Sequence, residues 1–242
     1  MKRLRATFAL LALMSPSAAL AAAPAAASEA PPLRHMVFAI TIGIRTLRTT
    51  QGSGIGTETG TNASSTGIEG SGTITADVIL PTRDGGLILN ISEDAQDRKA
   101  PVVRVAVRGT GEVLTPPDAN VTAEERILLR YLARSIVALA TPTKGATWDY
   151  DSNVGGAKIH TTFRVIDARD NGSIDIDVNE DMAGAGGTVA GTTHGRVIYD
   201  TKKVVPDKLD MSSRIRQEGV GGLVTTTITF VADLREDSFA KE

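Results

Sequence analysis

The chain has 242 residues, no cysteine, and 26 basic against 28 acidic residues for a net charge of −2. Without cysteine, disulfides, thiolate catalysis and cysteine-ligated metals are excluded, so an exported chain of this size must rely on its core. The acidic balance argues against general nucleic-acid binding, which needs a basic surface.

The N-terminus reads Met-Lys-Arg-Leu-Arg, then runs apolar over residues 6–14 and ends in small residues, with Ala19-Leu20-Ala21 as a cleavage site. This is the pattern of a secretory signal peptide over residues 1–21. Ala25-Ala26-Ala27 forms a second candidate site. The apolar run is too short to span a bilayer, so no membrane span is expected after its removal. The expected location is periplasmic or secreted. Cleavage removes Lys2, Arg3 and Arg5 and no acid, which leaves the remainder more acidic than the whole chain. Residues 22–33, rich in Ala and Pro, read as a disordered lead-in. Residues 34–236 have the length of a single β-rich domain.

The first strand covers 36–49, where Phe38, Ile40, Ile42 and Ile44 alternate with Ala39, Thr41, Gly43 and Arg45. A period of two marks a strand with one buried face. Residues 51–67 are almost all Gly, Ser, Thr and Asn and read as a mobile loop. A hairpin follows. Ile74, Ala76, Val78 and Leu80 share a face, Asp84-Gly85 is the turn, and Leu87, Leu89 and Ile91 return inward. A two-residue turn pairs Leu80 with Leu89 and Val78 with Ile91. Val103, Val105 and Val107 make a fourth strand before Pro116-Pro117 breaks the sheet.

The spacing then predicts one helix over 122–140. Thr122 and Glu125 form a capping box, Glu124 and Glu125 suit the positive end of the dipole, and Pro142 closes the far end. Arg126, Arg130 and Arg134 make a narrow stripe read as a solvated face. Apolar residues fill most of the remaining circumference, so the helix is expected to sit in a concave surface.

After the helix the strand pattern returns. Ile159, Thr161, Phe163 and Val165 face one way, Asp170-Asn171 is the turn, and Ile174, Ile176 and Val178 come back inward. The same arithmetic pairs Val165 with Ile176 and Phe163 with Val178. Both hairpins turn on Arg-Asp, at 83–84 and 169–170, and their return strands end in Glu-Asp, which suggests an internal duplication. Strands over 188–200, 209–217 and 223–233 complete the count, with Met211 opposite Phe230. The fold class is mainly β: a curved antiparallel sheet or incomplete barrel of about nine strands wrapped around one central α-helix, between two meander halves.

Pro142-Thr-Lys-Gly-Ala-Thr-Trp148, Gly195-Arg-Val-Ile-Tyr-Asp200 and Val205-Pro206 resemble uncharacterised secreted bacterial families of the domain-of-unknown-function kind, over roughly residues 142–232. The inferred shape is also distantly similar to periplasmic lipoprotein-carrier half-barrels. That similarity implies a lipid-like ligand in a cavity between sheet and helix.

Chemistry-bearing motifs are sparse. Gly52-Ser-Gly-Ile-Gly56 and Gly184-Ala-Gly-Gly187 lead into strands, whereas a phosphate loop leads into a helix. Neither a Gly-x-Ser-x-Gly elbow nor a His-Glu-x-x-His motif occurs, and no cofactor or metal is implied. His35 sits at a frayed start. His160 is placed opposite Asn179 or Asp181, and His194 opposite Ser173 or Asp175, too far apart to share a metal. Asp175, Asp177 and Asp181 read as solubilising charges. Leu128, Tyr131, Leu132, Trp148 and Phe163 are the candidate wall of an apolar ligand site, against plain core packing. The functional expectation is a non-catalytic envelope protein that binds a partner protein or polymer. A carrier or sensor of a lipid-like ligand and a hydrolase with an unrecognised site are the alternatives.

The signal pattern predicts a mature N-terminus near Ala22, or near Ser28 if the second site is used. N-terminal sequencing of protein from the cell envelope checks this. An intact Met1 in the cytoplasm overturns the export reading.

Overall fold

A computed structural model describes residues 31–51, 61–95, 98–109, 111–115, 120–132, 143–154, 157–184, 189–219 and 222–240. Twelve strands among them form one antiparallel sheet. The chain enters at the middle of the sheet with β1 (Arg34–Gln51). It meanders outward through β2 (Thr61–Pro81) and β3 (Leu87–Ala95), which also carries the two-residue β4 (Arg98–Lys99), to β5 (Val103–Val107) and the edge strand β6 (Val113–Leu114). Helix α1 (Ala123–Tyr131) follows. The chain resumes at the opposite edge with β7 (Thr147–Val154). Then β8 (Ala157–Ala168), β9 (Ser173–Ala183), β10 (Val189–Asp200) and β11 (Val205–Gly219) lead back to β12 (Gly222–Phe239), which pairs with β1. Strands β6 and β7 stay as edges, so the sheet is not closed.

Alternation predicts nine strands, and the structure adds β4, β6 and β7. Two of these have only two residues, too few to show a period. In β7, Trp148 and Tyr150 alternate with Asp149 and Asp151, a signature that suits a charged edge strand. The polar stretch after β1 also differs from expectation. Residues 61–67 belong to β2 and pair with β1, Ala63 opposite Thr49 and Gly67 opposite Arg45. A backbone ladder needs no apolar side chain, and Thr tolerates extended conformations well. Residues 52–60 lie outside the described residues. His35 is not frayed: it sits inside β1 between Asp77 and Ser238.

Cross-strand rows build the core. One row runs Val165–Ile176–Val197–Leu209–Ala232–Ile40 across six strands, none more than 3% exposed. Residues directly opposite share a face, so each row is a continuous apolar strip. Met36, Phe38, Ile74, Leu89, Ile91 and Val105 continue the same core through the first meander.

Turn chemistry sets the registers. In the first hairpin, Thr82 N–H donates to Gly86 O at 2.8 Å and Gly85 N–H to Thr82 O at 3.1 Å, with Gly85 at φ +83°. That is a three-residue loop ending in a left-handed glycine. With a bulge at Ile79, it places Val78 opposite Leu89 and Leu80 opposite Ile88. At Val78 the slip from the expected register is two residues, which preserves the buried face. The second hairpin closes in the same way across Arg169 and Ser173, with Gly172 at φ +94° and a bulge at Ile166. There the longer turn and the bulge cancel, and Val165–Ile176 and Phe163–Val178 pair as expected. Met211 faces Phe230.

Helix α1 begins as predicted, with Thr122 accepting from Glu125 N–H at 3.1 Å and Glu125 accepting from Thr122 N–H at 2.8 Å. Residues 133–142, with Arg134, Ile136, Val137 and Leu139, lie outside the described residues. Leu128 and Leu129 are fully buried, and Arg126 is exposed. Arg130 departs from the expected solvated stripe: its side chain is 28% exposed and paired with Glu180.

Glu125 is also fully buried, with Oε1 lacking a hydrogen-bond partner among the described residues. Burial, with Glu93 adding to it, raises its carboxyl above the ordinary value of 4.5. The folded state therefore holds this proton more tightly than the unfolded chain. The stability it contributes is full below the unfolded value and declines as pH rises through the raised one. Glu125→Gln keeps a residue suited to the capping box and removes the titration. Urea unfolding at pH 4 and pH 7 should show the variant gaining on the native protein as pH rises; an unchanged difference overturns this.

Candidate functional site

The five residues expected to wall an apolar ligand site are all placed at the interior. Leu128, Tyr131, Leu132 and Phe163 are 0 to 6% exposed and belong to one apolar core, against which Trp148 packs. The Trp148 and Phe163 rings stack at 5.1 Å with 15° between planes, because β7 and β8 pair at those two positions. Trp148 Nε1 and the Thr161 hydroxyl are buried without a hydrogen-bond partner among the described residues.

Two buried glutamates hold the helix. On β9 the inward positions run Ile174, Ile176, Val178 and then Glu180. The Glu180 carboxylate receives Arg130 through two hydrogen bonds, at 2.7 and 3.2 Å, and the Tyr131 hydroxyl at 3.3 Å. Burial, with the Glu180 carboxylate beside it, pushes the Tyr131 hydroxyl well above its usual value. On β3 the inward positions run Leu89, Ile91 and then Glu93. Glu93 accepts from Arg98 at 2.6 Å and from the Thr122 hydroxyl at 2.6 Å, and Arg98 also reaches Glu124 at 3.3 Å. Each glutamate lies eight residues after the left-handed glycine of its hairpin, and each bulged isoleucine six residues before it.

The polar positions differ from expectation in two places. Asp175 is not a solubilising charge: it is 2% exposed and gripped by Arg196 through two hydrogen bonds, one of them at 2.6 Å. His194 pairs with Asn179, not with Ser173 or Asp175, because the β9–β10 ladder reaches out to Ala183–Ala190. His160 does face Asp181. Two strand spacings and two residues still separate the histidines by roughly 12 Å. Among the described residues, no group of three His, Asp or Glu side chains is placed to hold a metal.

An open groove of about 840 Å³ lies on β7–β11. Register explains it. One row reads Lys158–Ala183–Ala190–Arg216, and the next reads His160–Asp181–Thr192–Arg214. All eight residues are exposed and share the polar face. In the first row, two alanines on the central strands lie between long cations on the outer strands, which makes a trough. Lys158, Arg214 and Arg216 have no ion pair or side-chain hydrogen bond among the described residues. Beside Lys158 on β8, His160 Nδ1 lies 2.8 Å from Asp151 Oδ1. That bond, with Asp149 and Asp181 nearby, raises the imidazole above its ordinary value.

His160 and Asp181 stand out in the sequence, whereas the three cations and the alanines do not. Arg214-Ile215-Arg216 does place two cations on one face. That the alanines separate them from Lys158 follows only from pairing.

No protein-family model and no curated protein matches this chain. Among solved structures, one similar chain is lipovitellin, from work on its lipid–protein interactions, at 11% identity and a TM-score of 0.48. The match covers 87% of this chain and 26% of the lipovitellin chain, so this chain spans about a quarter of that length. At this level of likeness nothing about lipid binding passes from lipovitellin to this chain.

The Arg130–Glu180 pair sets an order of mutational costs. Glu180 is 7% exposed, whereas Arg130 at 28% can turn toward water. Arg130→Ala strands a buried carboxylate and should cost about 2–3 kcal/mol in urea unfolding, below the ~3–5 kcal/mol of a fully buried pair. Glu180→Ala should cost less. The reverse order overturns this reading.

Proposed function

We propose that this chain is an exported, non-catalytic envelope protein that binds a partner protein or polymer on the polar face of its sheet. The observation that carries this reading is the groove on β7–β11, lined by Lys158, Arg214 and Arg216, which have no ion pair among the described residues. Unneutralised cations gathered on a protein of net negative charge favour an anionic partner, since complementary charge steers and orients association. In the architecture proposed with it, the sheet curves around α1. The helix touches β3 and β6 of one half and β11 of the other, and in sheet order β3 and β11 are four strands apart, roughly 19 Å on a flat sheet.

A second reading, a carrier of a lipid-like ligand, is favoured by an apolar pocket of about 440 Å³ among Leu33, Val78, Leu87, Leu132, Val204 and Phe239. Val204, at its rim, has φ +57°. For a β-branched residue that is a strained conformation, of the kind that persists at functional positions.

Calorimetric titration with dextran sulfate tests the first reading. The native chain should bind it, with affinity falling as salt rises. Arg214→Glu with Arg216→Glu should weaken binding at least tenfold while the fold is retained. No binding by the native chain, or equal binding by the variant, sinks the groove reading. Uptake of an apolar fluorescent probe, lost on Leu132→Ala, would favour the carrier.

A further inference from the structure

Resting on the groove reading, the geometry points to an acidic carbohydrate as the polymer: a glycan chain bearing one carboxylate or other anionic group per sugar beside free hydroxyls. The order of charges along the two rows selects such a ligand. The Lys158–Ala183–Ala190–Arg216 row is purely cationic, with an uncharged floor between its cations. Its ends are three strand spacings apart, roughly 14 Å, and both line the same groove. An anionic group over the alanines meets a lysine from one wall and an arginine from the other, whose planar fork suits a carboxylate or phosphate.

The adjacent row, about 6.6 Å further along the strands, has a different character. Between His160 and Arg214 it carries Asp181 and Thr192. Asp181 makes no side-chain hydrogen bond among the described residues, and its carboxylate repels a second anion. An ionised carboxylate only accepts hydrogen bonds, so it calls for a donor without negative charge, which a sugar hydroxyl supplies. Asp151, across from His160 on β7, adds a second acceptor on that wall. A ligand suited to both rows is therefore anionic at one point and hydroxylated one row away.

Closely spaced anions are disfavoured along β11 as well. Asp210 and Glu218 share the face of Arg214 and Arg216 and bracket them, which limits the cationic stretch to two positions. Among the described residues the groove lining has no Trp, Tyr or Phe, so these offer none of the stacking platforms that single-stranded nucleic acid uses. An acidic peptide or polyphosphate would satisfy the first row and Arg214 but would leave Asp181 facing an anion with no hydrogen-bond donor. A groove of about 840 Å³ lies within the ~300–1,000 Å³ that enclose small ligands, so a short oligosaccharide is the right size of probe.

The test compares three probes on the full chain by calorimetry: a trimer to hexamer of galacturonic acid, poly-L-glutamate of matched charge, and neutral dextran. The galacturonate oligomer should bind at least fivefold tighter than poly-glutamate, and dextran should not bind. Lys158→Ala and Arg216→Ala should each weaken the galacturonate oligomer about fivefold or more. Asp181→Ala separates the explanations by sign. It removes a negative charge, so a purely electrostatic site would bind both polyanions more tightly. The glycan proposal requires galacturonate affinity to fall while poly-glutamate affinity rises or holds. If both rise, or if poly-glutamate binds as well as galacturonate in the native protein, the carbohydrate assignment is wrong and the polyanion groove stands. If dextran sulfate is not bound either, the groove reading itself has failed.

Discussion

The structure depends on how one short helix is held across the two halves of an open sheet. An antiparallel meander can bury an apolar face only if something covers it. Here Leu128 and Leu129 of α1 enter the same core as both meanders. Two buried carboxylates fix the helix in place. Glu93 meets its N-terminal end through Thr122 and Arg98, and Glu180 meets its C-terminal end through Arg130 and Tyr131. A carboxylate near the first turn and a cation in the last turn also match the helix dipole. Such pairs stabilise less than their Coulomb attraction suggests, because both charges lose water. Their contribution is positional: an apolar contact is non-directional, whereas a carboxylate accepting two or three hydrogen bonds allows one placement.

The two grips are built alike. Each hairpin closes with a three-residue turn on a left-handed glycine, bulges at an isoleucine, and points a glutamate inward at the end of its return strand. The bulge matters because it restores the alternation that the odd-length turn would otherwise shift. Without it, the apolar positions beyond the turn would leave the core face. The same local device, used twice, delivers one carboxylate to each end of the helix. This correspondence of geometry goes further than the similarity of the turn sequences.

The same rule of rows explains the opposite face. Every inward row of apolar side chains has an outward neighbour row, and the groove arises where two outward alanines on β9 and β10 fall between long cations on β8 and β11. No loop is needed to make the concavity; side-chain length does it. The groove floor is consequently as rigid as the ladder beneath it, which favours a preformed site over one that closes on its ligand.

Much was legible in the sequence. Alternation located nine of the twelve strands and most of their buried positions, since the period of two is a local property of an extended chain; Leu80, expected inward opposite Leu89, is turned out to 53% exposure by the bulge at Ile79. The capping box placed the start of α1, because Thr122 and Glu125 satisfy each other within a single turn. Local pattern also set the pairs Val165–Ile176 and Met211–Phe230. Tertiary structure decided what the pattern leaves open. Arg130 looks like a surface cation on a helical wheel, and only the approach of β9 turns it inward to Glu180. Asp175 looks solvated until Arg196 on the next strand covers it. His194 was misplaced by several residues because the outer reach of the β9–β10 ladder is not encoded in either strand alone. Lys158, Ala183, Ala190 and Arg216 lie far apart in sequence and become one row only through three successive registers. The physical reason is the same in each case: periodicity tells which side of its own strand a residue takes, and pairing tells what stands beside it.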